Sequence, residues 1–436
     1  MDLLFAFLGF LIAMVFCLAT DITLLWALSL GLVFFFIVAY RRGYSLAKLL
    51  WMCRKGIRDG LPIAIFLLLI GCITGLWRAS GTVSAFVVYG IDLLTPNTFL
   101  LFTFLFCLVL SYAIGSAFGV SGTLGVIFMT LAESCGVDPL LTGGAILSGV
   151  YFGDRCSPLS ANFNLIAGVT NKEIIPNLKK VFLTGLPALL VTTAIYAVLS
   201  FLHPMETMDR SVTGLFTENF SLSPWVFLPA VLMLILPLFK VPLHIAIAVN
   251  VVISACVAFF VQHESLRRIF SCLLFGYQAK DPELALLNGG GLLSMAEVVA
   301  ILFFSCAYSS IFETTGMLRS IEDLCVRATH RIGRFPTLSL MSLAMIAIFS
   351  NPTITILLVA ELLKKPYNEE DAGEDEFLID LENSIPLYQG FLPWTVSCYV
   401  PILLFGGSKL SLLYAFYLYL TPLFYLFTKK IWYKKL

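Results

Sequence analysis

A charged and polar segment interrupts apolar sequence at Tyr151–Asn164, "YFGDRCSPLSANFN". It follows the glycine-spaced run "LLTGGAILSGV" and precedes "LIAGV", and both flanks are typical of a membrane interior. A lone carboxylate between apolar flanks is costly to bury, and such residues usually serve a function. Asp154 is therefore a candidate proton carrier or cation ligand. Two structural alternatives stay open, in which Asp154 caps the next helix or pairs with the adjacent Arg155.

Neutral oxygens accompany this carboxylate and recur in the glycine-rich segment "GSAFGVSG" (115–122). Glycines permit unusual backbone angles and a close approach of the backbone to an ion, and hard cations such as sodium prefer oxygen ligands. The same glycines, Gly115 and Gly119, also form a G-x-x-x-G pair that is typical of close helix crossings, so both interpretations stay open.

A second interruption lies in the C-terminal half, where Asn351 and Pro352 break an apolar run beside Thr353. Glu382 opens the next apolar span, whereas the acidic run 368–382, "NEEDAGEDEFLIDLE", is predicted to be a solvated loop. The candidate ion- or substrate-binding residues are Asp154 (also the candidate sodium ligand), Ser157, Ser160, Asn162, Asn164, Gly115, Ser116, Gly119, Ser121, Gly122, Thr123, Asn351, Thr353, Glu382, Asn383 and Ser384.

Composition determines the class of protein that must position these residues. The chain has 436 residues, of which 59% are hydrophobic and 12% charged, whereas soluble domains carry about 25% charged residues. Apolar runs of about 20 residues recur, each long enough to cross a bilayer as a helix. The sequence therefore predicts an all-α polytopic membrane protein with about 10–13 membrane segments.

Several function classes are disfavoured by the same inspection. The formal net charge is zero, so no basic face indicates nucleic acid. The eleven cysteines and four histidines are scattered, and neither a disulfide framework nor a resident metal or other cofactor is predicted. No H-E-x-x-H or G-x-S-x-G motif is present, so an enzyme is not expected.

Charge placement predicts the orientation. The 41–59 loop carries six Lys or Arg residues against Asp59, and the C-terminal "KKIWYKKL" adds four lysines. Both are expected on the cytoplasmic side of the cell membrane, together with the N-terminus. We divide the chain into N-terminal helices (1–40), a first repeat with an amphipathic cytoplasmic helix (41–202), connecting helices (203–262) and a second repeat (263–436).

The two repeats are suggested by faint internal similarity. The segment 75–86 is echoed by 310–321, and the interrupted segment 111–128 by 347–362, both about 235 residues later. "GDRCSPLSANFN" has a looser counterpart in "LENSIPLYQGFLPW" (381–394). Interrupted helices at corresponding places in two halves are typical of the binding site of a secondary transporter. We therefore predict two inverted repeats with broken helices and re-entrant hairpins.

At these residues the chain resembles the NhaC-type sodium/proton antiporter family of the ion-transporter superfamily. The resemblance is carried by "LLIGCITGLWRASGTV", "AIGSAFGVSGTLGV" and "GGAILSGVYFGDRCSPLSANFNLIAGVT". It implies sodium/proton antiport by alternating access, with sodium and protons as the transported or coupling ions. It also implies a fold of two inverted repeats with paired re-entrant hairpins, and a homodimer is plausible by analogy.

The sequence departs from the family pattern at several acidic positions. Where the family usually reads S-P-L-S-D-T-T-N, this chain has Ala161, Asn162 and Phe163 after Ser160, and T-G-D-Q is replaced by Ser-Asn-Pro-Thr at 350–353. Fewer carboxylates mean fewer places where sodium and protons compete. The alternative is therefore a sodium- or proton-coupled transporter of a small amino or organic acid, with Phe163 helping to shape its pocket.

Overall fold

The computed structural model describes residues 2–20, 22–93, 95–205, 210–239, 241–317, 322–368, 373 and 375–433. These residues are helices and their connections, and the bridge Tyr277–Gly289 is their one β-type pairing. The helices of the first half are α1 (Asp2–Ala19), α2 (Leu25–Arg41), α3 (Leu46–Ala79), α4 (Thr82–Leu93), α5 (Phe99–Ile114), α6 (Ala117–Val120), α7 (Val126–Ser134), α8 (Pro139–Cys156), α9 (Ala161–Thr170) and α10 (Ile174–Leu202).

The second half continues with helices of more varied length, and the all-α prediction is confirmed. They are α11 (Arg210–Asn219), α12 (Leu228–Leu238), α13 (Leu243–Phe260), α14 (Leu266–Phe275), α15 (Ala296–Thr315), α16 (Glu322–Ile332), α17 (Arg334–Phe349), α18 (Pro352–Tyr367), α19 (Glu376–Glu382), α20 (Ile385–Tyr388), α21 (Val396–Phe405) and α22 (Phe416–Trp432).

Six helices among the described residues are long and apolar enough to cross a membrane. Several shorter apolar helices accompany them, which fits the predicted membrane protein with interrupted segments. The amphipathic stretch that begins after Ser45 is continuous with the following span as α3. The six long spans are 46–79, 96–114, 117–134, 174–202, 292–315 and 409–432.

Glycines allow the closest helix contacts of this framework. A β-carbon at Gly56 of α3 would lie 2.1 Å from the carbonyl oxygen of Cys306 in α15. One at Gly153 of α8 would lie 2.1 Å from the carbonyl oxygen of Ser111 in α5. Both distances are far shorter than any real contact, so only glycine permits these helices to approach so closely.

The helices α5, α6 and α7 form a hairpin. The backbone amide of Leu101, near the start of α5, donates to the hydroxyl of Ser200, near the C-terminus of α10, over 2.9 Å. After the break that follows Ile114, the chain reverses direction. The ring of Phe128 in α7 lies 6.3 Å from the ring of Phe99 at the start of α5, which shows that the second arm runs back along the first. Both arms therefore reach the Leu202 end of α10, and the tip lies at the opposite end of the hairpin.

The helices α17 and α18 form a second hairpin in the opposite sense. The guanidinium Nε of Arg334, at the start of α17, donates to the carbonyl oxygen of Pro366 near the end of α18, over 3.1 Å. Arg334 also lies 3.6 Å from Glu376, and the adjacent Asp375 pairs with Lys180 in the first turns of α10. This hairpin therefore starts and ends at the Ile174 end of α10.

The acidic run at 368–382 differs from its predicted solvated loop. Residues 369–372 and 374 lie outside the described residues, but Glu376–Glu382 forms the buried helix α19. Lys429 of α22 pairs with Asp380 and with Glu376, the latter over 2.6 Å. Only 5% of the Lys429 side chain is exposed. A buried lysine and arginine neutralise the carboxylates, which is why an acidic helix can enter the core.

Candidate functional site

Asp154 lies in the last turn of α8 and lines a cavity. Its Oδ1 accepts a hydrogen bond from the backbone amide of Ala117, where the helix after the first break begins, over 3.1 Å. Its Oδ2 faces the side-chain amide of Gln389, which donates over 3.4 Å. The carboxylate thus has an amide at each oxygen and no cation among its described contacts.

The cavity has a volume of about 790 Å³ and brings the two interrupted helices together. Gly115 and Ser116 line it from the tip of the first hairpin, and Asn351 and Thr353 line it from the tip of the second. Asp154 lines the same cavity. Residues that are distant in sequence and lie in oppositely directed hairpins therefore share one site with the candidate carboxylate.

The two hairpin tips have the same local backbone geometry. The first arm ends at Gly115 in the left-handed region, with φ 72°, and Ser116 follows in extended backbone. The second arm ends at Ser350, also left-handed with φ 54°, and Asn351 follows in extended backbone. At each tip the second residue caps the returning helix with its own side chain. Each break therefore turns the chain at a point where the residues of the tip line the cavity.

The structural alternative that paired Asp154 with Arg155 is wrong. Arg155 is fully buried and points toward other helices. Its guanidinium donates to the carbonyl oxygen of Val181 over 2.6 Å and to Oδ1 of Asn383 over 2.7 Å. Successive side chains on a helix point about 100° apart, so neighbours need not share partners. Arg155 holds α8 against α10 and the end of α19, which positions Asp154 without neutralising it.

Glu382 lies in the protein interior and does not line the cavity. Its side chain is fully buried, and neither carboxylate oxygen has a hydrogen-bond partner in the described part of the chain. Arg155 and Asp154 both lie close enough to interact with its charge. Glu382 is thus a fully buried carboxylate within electrostatic reach of the cavity-lining Asp154.

Several predicted site residues lie behind the cavity wall and shape it. The hydroxyl of Ser160 donates to the carbonyl oxygen of Asp154 over 2.7 Å, and the hydroxyl of Ser157 accepts from the amide of Leu159. The amide of Asn164 donates to the carbonyl oxygens of Pro158 and Ser160. These residues fix the turn after α8. Of the predicted residues, the cavity is lined by Gly115, Ser116, Asp154, Asn162, Asn351 and Thr353, and not by Gly119, Ser121, Gly122, Thr123, Ser157, Ser160, Asn164, Glu382, Asn383 and Ser384.

Sequence reasoning missed three polar residues of the site. His244, Gln389 and Ser397 all line the cavity, although no motif marks any of them. The internal repeat held a signal for Gln389, because it follows Asp154 by the same 235 residues by which Ser350 follows Gly115. Phe163, expected to shape a pocket, is fully buried in the hydrophobic core and is not a lining residue.

Comparison with known proteins places this chain in a family. The Na+/H+ antiporter family matches residues 149–428, a range that includes Asp154, the second hairpin and Gln389. The chain is 27% identical over 399 residues to a malate-2H(+)/Na(+)-lactate antiporter of Bacillus subtilis (strain 168), covering 89% of this chain and 85% of that one.

Two further relatives carry different transport names. The Na(+)/H(+) antiporter NhaC of Bacillus subtilis (strain 168) is 25% identical over 379 residues, covering 84% of this chain and 83% of its own. The arginine/ornithine antiporter ArcD of Halobacterium salinarum (strain ATCC 700922 / JCM 11081 / NRC-1) is 26% identical over 382 residues, covering 85% and 78%. With more than half of its length matched and the predicted resemblance confirmed, this membrane-embedded chain belongs to the Na+/H+ antiporter family.

Proposed function

We propose that the protein is a secondary active transporter that exchanges sodium ions for protons across the cell membrane by alternating access. The observation that supports this most directly is the position of Asp154, which faces one cavity together with both hairpin tips. Family membership indicates a transporter and not an enzyme. The opposite senses of the two hairpins support the predicted inverted repeats, which this mechanism uses.

The exchange follows from one carboxylate that serves two ions in turn. An ionised Asp154 binds sodium through its oxygens, and a protonated Asp154 has lost the charge that holds the ion. Ser116, Asn351, Thr353 and Gln389 offer further oxygens around the same space. Occupancy by one ion excludes the other. The fluxes of sodium and protons are therefore coupled when the cavity opens alternately to the two membrane faces.

Glu382 is proposed as a second acidic group of the pathway. An ionised carboxylate that is fully buried without a hydrogen-bond partner is energetically costly. Uptake of a proton by Glu382 removes this cost. Since Asp154 and Glu382 act on each other electrostatically, protonation of one eases ionisation of the other. The same proposal includes the oxygen ligands around sodium, the use of sodium and protons as coupling ions, and the cytoplasmic position of both termini.

The test is sodium-driven proton movement in proteoliposomes, followed with a pH-sensitive dye. Asp154→Asn is compared with Glu313→Gln, whose carboxylate makes an exposed pair with Lys55 over 3.3 Å. We expect exchange in the wild type and in Glu313→Gln, and none in Asp154→Asn. Sodium-driven proton movement that persists unchanged in Asp154→Asn would contradict the role of this carboxylate.

A second candidate function is sodium- or proton-coupled transport of a small amino or organic acid. It is favoured by the cavity volume of about 790 Å³, which falls within the range of about 300–1,000 Å³ for small-molecule sites. Two relatives are also named for organic substrates. Thermal stabilisation by candidate solutes, with and without sodium, distinguishes it from plain ion exchange, because a ligand stabilises the state that it binds.

A further inference from the structure

The chemistry of the cavity lining selects for positive charge. Asp154 supplies a carboxylate, whereas no lysine or arginine lies among the described residues that line the cavity. His244 is the one other titratable side chain among them. An organic anion would bring its charge next to the Asp154 carboxylate with no lysine or arginine to balance it, which is unfavourable in a site of low polarity.

Gln389 adds an acceptor without a partner. Its side chain is 1% exposed, and its Nε2 donates both to Asp154 and to the carbonyl oxygen of Pro386 over 3.1 Å. Because both of these neighbours are acceptors, the amide nitrogen must face them, and the orientation of the amide is thereby assigned. Its Oε1 is then left buried without a hydrogen bond. A buried acceptor beside a carboxylate is complementary to a ligand that carries N–H donors.

The rest of the lining is apolar and partly aromatic. The rings of Phe66 and Phe118 lie on the cavity with centroids 6.2 Å apart and planes inclined by 56°. Leu69, Leu302 and Val396 extend the apolar surface. Aromatic faces attract cations, and apolar walls gain from covering a hydrocarbon body. A bare ion uses neither this surface nor most of the volume.

We propose that the cavity binds an organic cation that has N–H donors and an apolar body, such as an alkylammonium or alkylguanidinium ion. Its charged head lies between the Asp154 carboxylate and Oε1 of Gln389, and its hydrocarbon lies along Phe66 and Phe118. This inference rests on the proposed function, because it assigns the same site and makes the organic cation a competitor of sodium and of the proton.

The test uses n-butylguanidinium, which keeps its charge at neutral pH and has no permeant free base in useful amount. Potassium butyrate, with a similar hydrocarbon and the opposite charge, is the matched anion. Binding to the purified wild type is measured by calorimetry in sodium-free potassium buffer, and proton movement is followed in proteoliposomes against empty vesicles. We expect butylguanidinium to bind, to weaken as sodium is added and to drive proton movement, and butyrate to do none of these.

A variant of Gln389 tests the contact itself. Gln389→Met removes the acceptor at nearly constant length, and we expect butylguanidinium affinity to fall about tenfold. The exposed Gln278→Met makes the same side-chain change outside the cavity lining and is the matched control. Size-exclusion profiles establish that each variant is folded. Equal affinity of Gln389→Met and Gln278→Met for butylguanidinium would overturn the proposed contact between the ligand and Oε1 of Gln389.

The results separate this inference from the proposed function. Sodium/proton exchange without binding of butylguanidinium overturns the organic cation and leaves sodium/proton antiport in place. Proton movement driven by butylguanidinium but not by sodium supports the inference and rejects sodium as the substrate. Equal binding of butyrate overturns the inference, because the hydrocarbon alone would then determine affinity.

Discussion

Two groups of interior carboxylates in this protein, one buried and one facing a cavity, have opposite surroundings. Asp380 and Glu376 are neutralised by Lys429 and Arg334, and both Tyr367 and Tyr425 donate to Asp380. Asp154 has two amide donors, no cation and an open cavity in front of it. A carboxylate whose charge the protein itself balances has little to gain from an ion. A missing ion-pair partner together with an open cavity, and not burial alone, therefore distinguishes the carboxylate of the proposed transport site.

The largest expected effect comes from removing the Asp154 charge. In Asp154→Asn we expect sodium-driven proton movement to fall to the level of empty liposomes, while the melting temperature in detergent stays unchanged or rises. The reason is that the asparagine oxygen still accepts from Ala117, only the 3.4 Å contact from Gln389 is lost, and no partner cation is left unpaired. A variant that melts well below the wild type would show that Asp154 has a structural role like that of Asp380.

Lys429→Met should have the reverse profile, with a large loss of stability. Removing the lysine leaves Asp380 and Glu376 with an uncompensated buried charge, which costs about 3–5 kcal/mol. Thermal unfolding in detergent measures this loss. The double variant Lys429→Met/Asp380→Asn is expected to regain part of it, since one unpaired charge is gone. If the single variant is as stable as the wild type, the two carboxylate groups do not differ as proposed.

The hairpin tips should respond unequally to substitution. A β-carbon at Gly115 would lie 2.6 Å from the carbonyl carbon of Leu159 and 2.7 Å from the amide nitrogen of Ser160. Its φ of 72° adds backbone strain. We expect Gly115→Ala to cost about 2 kcal/mol and to slow exchange, since the turn behind Asp154 must move. Unaltered melting and exchange would contradict the close packing of this tip.

Ser350→Gly is the matched change at the other tip and the smallest expected effect. Ser350 occupies the left-handed region with φ 54°, where glycine is unstrained. The relief of strain opposes the greater entropy of glycine in the unfolded chain, so we expect a change within about 1 kcal/mol. Differential scanning fluorimetry of both tip variants side by side measures the contrast. A loss of stability in Ser350→Gly as large as that in Gly115→Ala would contradict the expected difference between the two hairpin tips.

Some residues of the candidate site are predictable from the sequence, and others are not. Asp154 and the breaks at Gly115 and Asn351 were predicted, because polar residues and glycines inside apolar runs stand out in any membrane sequence. The acidic run 368–382 was misinterpreted because its counter-charges, Arg334 and Lys429, lie far away in sequence. Gln389 escaped notice since a single amide has no motif, although the repeat offset pointed to it.

The sequence by itself determined the all-α membrane class, the family and the places where helices break. These depend on local composition and on the cost of exposing backbone groups in lipid, which neighbouring residues already express. Only the tertiary structure decided which carboxylate is paired and which faces a cavity, and that Arg155 points away from its neighbour Asp154. Charge balance in a low-dielectric interior is a property of what lies within a few ångströms in space, and chain order does not specify it.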